Sequence, residues 1–193
     1  MKHLIAATAV GLLLCGAAAA QTPLPSTNRT PAPGSPAAGG APTNYAQNTG
    51  EFLKTVAELD AFHREAAQLA LSRSAAPDVH KYAQEIMRDH THGYAGLNNA
   101  TTAKDRKVAP VATLKPEHKT LLMDLKGSGA AFDRKYIDFE MQALKEALGV
   151  LQAYASGGVD AKMRQAAAEA VTADNALLAQ AKSLQKTRTA STG

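Results

Sequence analysis

The sequence predicts an all-α protein, an antiparallel four-helix bundle with a short extra helix in its middle connection. Three observations carry this. Apolar residues between positions 48 and 185 recur at three- and four-residue spacing. Breaks rich in Gly, Ser and Pro fall between long periodic runs. No stretch alternates apolar and polar residues as a half-buried strand would.

The chain has 193 residues. Its first twenty read as an export signal rather than as part of the fold. Lys2 and His3 give a basic start, and Leu4 to Gly16 form an apolar run of about a dozen residues, too short to span a bilayer. Ala17-Ala18-Ala19-Ala20 before Gln21 offers small residues for cleavage, most simply after Ala20, although the segment could also be retained. Leu14 stands where a lipobox needs a small residue, which argues against lipidation of Cys15. Cleavage would remove Cys15, the sole cysteine, and with it any disulfide or thiolate chemistry. A periplasmic or secreted location is expected, with no transmembrane segment in the mature protein.

Residues 21–47 are rich in Pro, Gly, Ala, Ser and Thr, with Arg29 the one charged side chain. Such a segment buries too little apolar surface to offset its chain entropy, so it reads as a disordered linker. Residues 186–193 read as a disordered polar tail. The domain is expected over 48–185, long enough for a sizeable core.

The first helix is expected from about Glu51 to Arg73, with Asn48 as N-cap and Glu51 three residues on. Its inner stripe reads Phe52, Val56, Leu59, His63, Ala66 and Ala70. Ser74-Ala75-Ala76 makes a tight turn, and Pro77 suits the first position of the next helix. That helix presents Val79, Ala83, Ile86, His90 and Leu97 on one face, with Tyr82, Met87 and Tyr94 beside it. A loop is expected from about Thr101 to Leu114, then a short helix from Pro116 to Leu125 ended by Gly127-Ser128-Gly129. The third long helix spans about Ala130 to Ser156, with Phe132, Tyr136, Phe139, Ala143, Ala147 and Leu151 inward. Gly157-Gly158 ends it and Asp160 caps the last helix. That helix carries Met163, Ala167, Ala170, Val171, Leu177, Leu178, Ala181 and Leu184.

Twenty-one basic against 17 acidic side chains give a formal charge of +4 without a basic block, a poor match to nucleic acid. The 5% aromatic share and the absence of Trp argue against base-stacking platforms. Gly127-Ser128-Gly129 is a helix break and not a phosphate loop, since no strand precedes it and no Lys-Ser/Thr follows.

The chemistry gathers around Met87-Arg88-Asp89-His90, where an imidazole falls on the apolar stripe. His63 lies about twelve residues before the 74–76 turn and His90 about fifteen after it, so at about 1.5 Å per residue they stand within a turn of one another. Asp60 and His63 share a face at three-residue spacing. Glu140, four residues after Tyr136, can point inward. His63, His90 and Glu140, with Asp60 or Asp89 nearby, are therefore candidate ligands for a divalent metal ion such as zinc, iron or manganese. The competing reading is a neutral histidine hydrogen-bonded to a carboxylate, a tyrosine or a backbone carbonyl. Di-iron bundles use Glu-x-x-His motifs, and this chain has none; Asp60-x-x-His63 is a shortened form. His80 and His92 fall off the stripe and are expected at the surface. Asp89 reads as a solvated or helix-pairing carboxylate. Tyr136 reads as a core aromatic whose hydroxyl reaches a polar neighbour.

Several stretches together resemble one family. They are Phe52-Leu53-Lys54 through Glu65 and Leu69-Ala70; Val79, Tyr82-Ala83 and Met87-Arg88-Asp89-His90; and Phe132-Asp133-Arg134-Lys135-Tyr136-Ile137-Asp138. They resemble the exported bacterial proteins carrying domain of unknown function 4142, grouped with ferritin-like bundles, over about residues 50 to 184. The resemblance implies a periplasmic or secreted four-helix domain and no established activity. Family members often carry a His in the third helix and another in the fourth, where this chain has Leu144 and Leu177. His63 stands where an acidic residue is more usual. The chain therefore departs from the family at two inward polar positions and gains one.

Three functions are consistent with these features. One is a non-enzymatic envelope binding or stress-related module. A second is a metal-binding bundle with storage or oxidase chemistry. The third is a helical module that binds a protein partner or forms a homo-oligomer through small faces such as Ala166 to Ala170.

Overall fold

The computed structural model describes residues 45–100 and 113–190. The expected signal, most of the expected linker, Cys15 and most of the expected 101–114 loop lie outside the described residues, as does the side chain of Tyr94. The described residues form five α-helices: α1 (Thr49–Arg73), α2 (Pro77–Ala100), α3 (Pro116–Gly127), α4 (Phe132–Gly157) and α5 (Ala161–Ala190). No strand occurs among the described residues.

The helix boundaries follow their local chemistry. The Asn48 side chain accepts a hydrogen bond from the Glu51 amide at 3.0 Å, which satisfies one orphan donor at the start of α1. α2 begins on Pro77, whose missing N–H costs nothing at that position. Asp160 caps α5 by accepting from the Met163 amide at 2.9 Å. Between α3 and α4, Gly129 adopts φ 54°, the left-handed region that other residues avoid, within a single 3-10 turn (Gly129–Ala131).

α1 packs against α2 and α4, and α5 packs against α2 and α4, so the four long helices form a ring in the order α1, α2, α5, α4. Cross-helix contacts fix the directions. Tyr154 near the end of α4 stacks on Phe52 near the start of α1, with centroids 4.0 Å apart. Arg188 near the end of α5 reaches Asp78 at the start of α2 through two hydrogen bonds of 2.8 and 3.0 Å. Every neighbouring pair in the ring is thus antiparallel. α2 and α4 sit diagonally, and the connection containing α3 joins them while α3 packs on α1 and α4.

The core forms two apolar clusters. One is built around Phe62, Ile86, Leu125, Tyr136 and Leu144. The other is built around Phe52, Leu59, Leu97, Leu151, Tyr154 and Met163. Burying such side chains contributes about 1.5–3 kcal/mol each. Along α1, α2 and α5 the change from one cluster to the other falls at Asp60 and His63, at His90 and at Asp174, all of them buried.

Three details differ from the sequence reading. α5 continues through Lys186–Ala190 rather than fraying after Gln185, because Arg188 holds Asp78 and Gln185 Nε2 donates to Asp138 Oδ1 at 2.6 Å. Tyr45, in the expected linker, is buried in the second cluster. Phe139 is half-buried, and Ile137 and Leu144 take the fully buried places on α4 instead.

Candidate functional site

Six polar side chains meet in the layer between the apolar clusters. His63 Nδ1 and Glu140 Oε2 share a hydrogen bond of 2.6 Å in full burial. His90 Nδ1 and Asp60 Oδ1 lie 2.9 Å apart. The two imidazoles stack, with centroids 4.1 Å apart and 13° between their planes. Three of the candidate residues, His63, His90 and Glu140, are therefore brought together as their stripes require, and Asp60 joins them through His90. Asp89 lies at the margin, where Arg88 Nε donates to it at 2.8 Å.

A cavity of about 40 Å³ opens in this layer, with Asp60, His63, Asp89, His90 and Asp174 among its walls and Leu59, Leu97 and Leu151 on its apolar side. Glu140 is absent from the walls, and its bond to His63 is its contact with the pair.

Burial sets the protonation states. It pulls the His63 pKa down to about 4, so the ring is neutral near pH 7. It pushes Glu140 up to about 8 against the opposing effect of His90, so this carboxyl tends to hold a proton. Asp174 on α5, 6% exposed, is raised to about 6 by burial. His90 opposes that rise, while Asp60, Asp89 and Glu140 add to it. Four carboxylates crowd this layer, and among the described residues guanidinium groups reach it only at Asp89, from Arg88 at 2.8 Å, and at Asp60, from Arg64 at 3.1 Å.

Several polar atoms here are buried without a hydrogen-bond partner: Nε2 of His63, Nε2 of His90, Oε1 of Glu140 and the hydroxyls of Tyr82 and Tyr136. Such atoms each cost roughly 1–3 kcal/mol when left unpaired, so native interiors hold few of them. The expectation that the Tyr136 hydroxyl reaches a polar neighbour is thus not met. The ring stacks on Phe132 and edges toward Tyr82, and the hydroxyl has no hydrogen-bond partner.

The arrangement has the parts of a metal centre without a finished coordination sphere. Each ring meets a carboxyl group through Nδ1 and leaves Nε2 without a partner, the orientation that ligating histidines adopt. Among the described residues, however, no three His, Cys, Asp or Glu side chains stand gathered around one point. Near-parallel stacked rings cannot both hold one ion in their planes, so coordination by both requires one ring to turn.

A second polar cluster lies where α3 meets α1 and α4. His118 Nδ1 lies 2.6 Å from Glu58 Oε1, and its Nε2 lies 3.5 Å from Glu146 Oε2. The Lys115 amide donates to Glu58 at 3.0 Å, and its ammonium contacts Glu146. Burial opposes charge on His118, but the bonds to Glu146 and Glu58 outweigh it and raise its pKa. The same bond to His118 leads the effects that hold Glu146 down at about 2.

Sequence reasoning missed Asp174 and the cluster of Glu58, His118 and Glu146. Asp174 continues the α5 stripe three residues past Val171 and three before Leu177, so its spacing placed it inward. Glu58 and His118 are 60 residues apart, and no local spacing links them. Of the expected surface histidines, His92 is exposed, whereas His80 is half-buried with Nε2 2.5 Å from the Ser74 carbonyl.

Among the described residues no helix is long and apolar enough to cross a membrane. No curated protein and no solved structure matches the chain. One family model, described as "Domain of unknown function (DUF4142)", matches residues 34–184 and so covers most of the sequence. Helices α1 to α4, most of α5, the buried Asp-His pair and the Phe132–Asp138 opening of α4 fall inside that match, and the chain belongs to the DUF4142 family.

Proposed function

We propose that this protein is an exported, non-enzymatic binding module of the cell envelope whose bundle interior takes up one divalent transition-metal ion. The observation that carries this reading is the pair of buried Nε2 atoms, His63 and His90, unpartnered on the wall of a cavity that Asp174 also lines. A cation there relieves two costs together. It satisfies the orphan nitrogens, and it neutralises carboxylates whose charge burial and mutual repulsion disfavour.

His90 Nε2 and the Asp174 carboxylate supply two ligands, and His63 Nε2 supplies a third once its ring turns about its bond to Glu140. Asp60 and Glu140 orient the rings through Nδ1 and act behind them. Asp89 stays outside this set because Arg88 engages it. Mixed imidazole and carboxylate donors suit zinc, iron or manganese. The helix order, with one long diagonal crossover, is the one that ferritin-like bundles use. The signal-like first twenty residues support export.

Elemental analysis of the purified, dialysed protein tests the proposal. One equivalent of metal is expected, and none in a His90→Ala/Asp174→Asn double variant that keeps its helical content. Metal-free protein whose melting temperature ignores added zinc, iron and manganese would refute it.

A further inference from the structure

The buried cavity has a neighbour at the surface. A groove between α2 and α5 is lined by Asp89, His92, Gly93, Gly96, Glu169 and small alanines of α5. Groove and cavity share Asp89, Gly93, Leu97, Ala170 and Ala173 as walls, so the partition between solvent and the His90 layer is thin. Two glycines interrupt α2 here, where glycine weakens a helix interior. A Cβ added at Gly93 or at Gly96 would meet no atom within 4 Å. Packing against a neighbour therefore does not account for either glycine. What the glycines leave is open space on the face of α2, beginning three residues after His90. The unpartnered His90 Nε2 lies on the inner side, 7% exposed, and Glu169, with Asp89 in its pair with Arg88, sets carboxylates at the mouth.

We propose that this glycine-lined groove is the entrance through which the divalent cation reaches the buried site, with Gly93 on the wall that groove and cavity share. The inference rests on the metal-binding reading and adds the route. Carboxylates at the mouth raise the local cation concentration. The missing side chain at Gly93 keeps the path short. A large side chain there would plug the path and leave the ligands in place, so it would act on the rates of entry and exit by one common factor and leave the equilibrium unchanged.

The experiment uses the full chain, stripped of metal, with Co2+ as probe because its absorption reports imidazole and carboxylate coordination. Loading is followed by stopped-flow absorbance, and release is started with excess chelator. The Gly93→Leu variant is expected to load and release at least tenfold more slowly, with unchanged stoichiometry and affinity. Gly93→Ala should fall between it and the unmodified protein. Gly149→Leu is the control, since Gly149 lies on α4, lines neither cavity nor groove and has open space around its Cβ. It should load and release as the unmodified protein does. Unchanged rates in Gly93→Leu overturn the entrance while leaving the metal site intact. A changed affinity with an unchanged loading rate overturns it equally. Failure of the unmodified protein to take up Co2+ overturns the site and the entrance together.

Discussion

His63 and His90 stack 4.1 Å apart, yet each meets a different carboxyl group through its Nδ1, Glu140 for the first and Asp60 for the second. The pair from α1 and α2 is thereby tied to α4 on one side and back to α1 on the other. Two hydrogen-bonded couples packed face to face make a polar layer that neither apolar cluster could supply.

The His63–Glu140 bond predicts strong coupling between its ends. Glu140→Ala leaves a fully buried imidazole nitrogen unpaired and should cost about 1–3 kcal/mol. His63→Leu should cost a similar amount by stranding the carboxyl. The His63→Leu/Glu140→Met double variant removes both polar groups and should lose clearly less than the two single losses combined. Urea unfolding of the four proteins in metal-free buffer measures this, and additive losses would contradict it.

Asp174 should show stability and binding moving in opposite directions. Its carboxylate is buried among others of the same charge, so an amide of the same shape removes a desolvation cost. Asp174→Asn is expected to raise the stability of the metal-free protein by about 1–3 kcal/mol at neutral pH. The same change should weaken metal uptake at least tenfold. A destabilised variant with full metal content would show that Asp174 serves packing alone.

The α3 junction should respond to pH. His118 has a raised folded pKa, so its contribution to stability is complete below its unfolded value near 6.5 and is lost as pH rises through the folded value. Glu146, held at about 2, and Glu58, also lowered, contribute above their unfolded value of 4.5 and lose that contribution as pH falls. The cluster therefore holds α3 best between about pH 4.5 and 6.5. The stability difference between the unmodified protein and His118→Gln should peak in that window and shrink toward pH 9. A difference that stays flat from pH 5 to 9 would show that His118 is not charged there.

Two glycines should behave oppositely. A Cβ at Gly158 would stand 2.4 Å from Tyr154 Cε1 and 2.6 Å from the Tyr154 carbonyl oxygen, so Gly158→Ala must displace a buried ring or its backbone. A loss of about 1–3 kcal/mol is expected. Gly149→Ala meets open space inside a helix and should gain about 0.5–1 kcal/mol. Thermal melts of the pair check both signs.

The helices were legible because their ends carry local signals. Asn48, Pro77, Gly129 and Asp160 each act on neighbours a few residues away, and the structure uses all four as that chemistry requires. His63, His90 and Glu140 were legible for a related reason, since each interrupts an apolar stripe. Asp174 interrupts a stripe too, but a carboxylate on an Ala-rich helix is easily read as part of its solvated face. Glu58 and His118 meet only because α3 folds back onto α1, and the Gly93 opening depends on where α5 lies beside α2. Those relationships belong to packing between helices, which spacing within one helix does not encode. The polar end of α5 was misjudged for the same reason, since Arg188 finds Asp78 from a different helix.

Anomalous X-ray scattering from crystals grown with zinc tests the central claim most directly. The account predicts one anomalous peak inside the bundle, about 2 Å from His90 Nε2 and from an Asp174 oxygen, with the His63 ring turned toward it. An interior without an anomalous peak, with both rings still stacked and zinc confined to surface histidines, would contradict it.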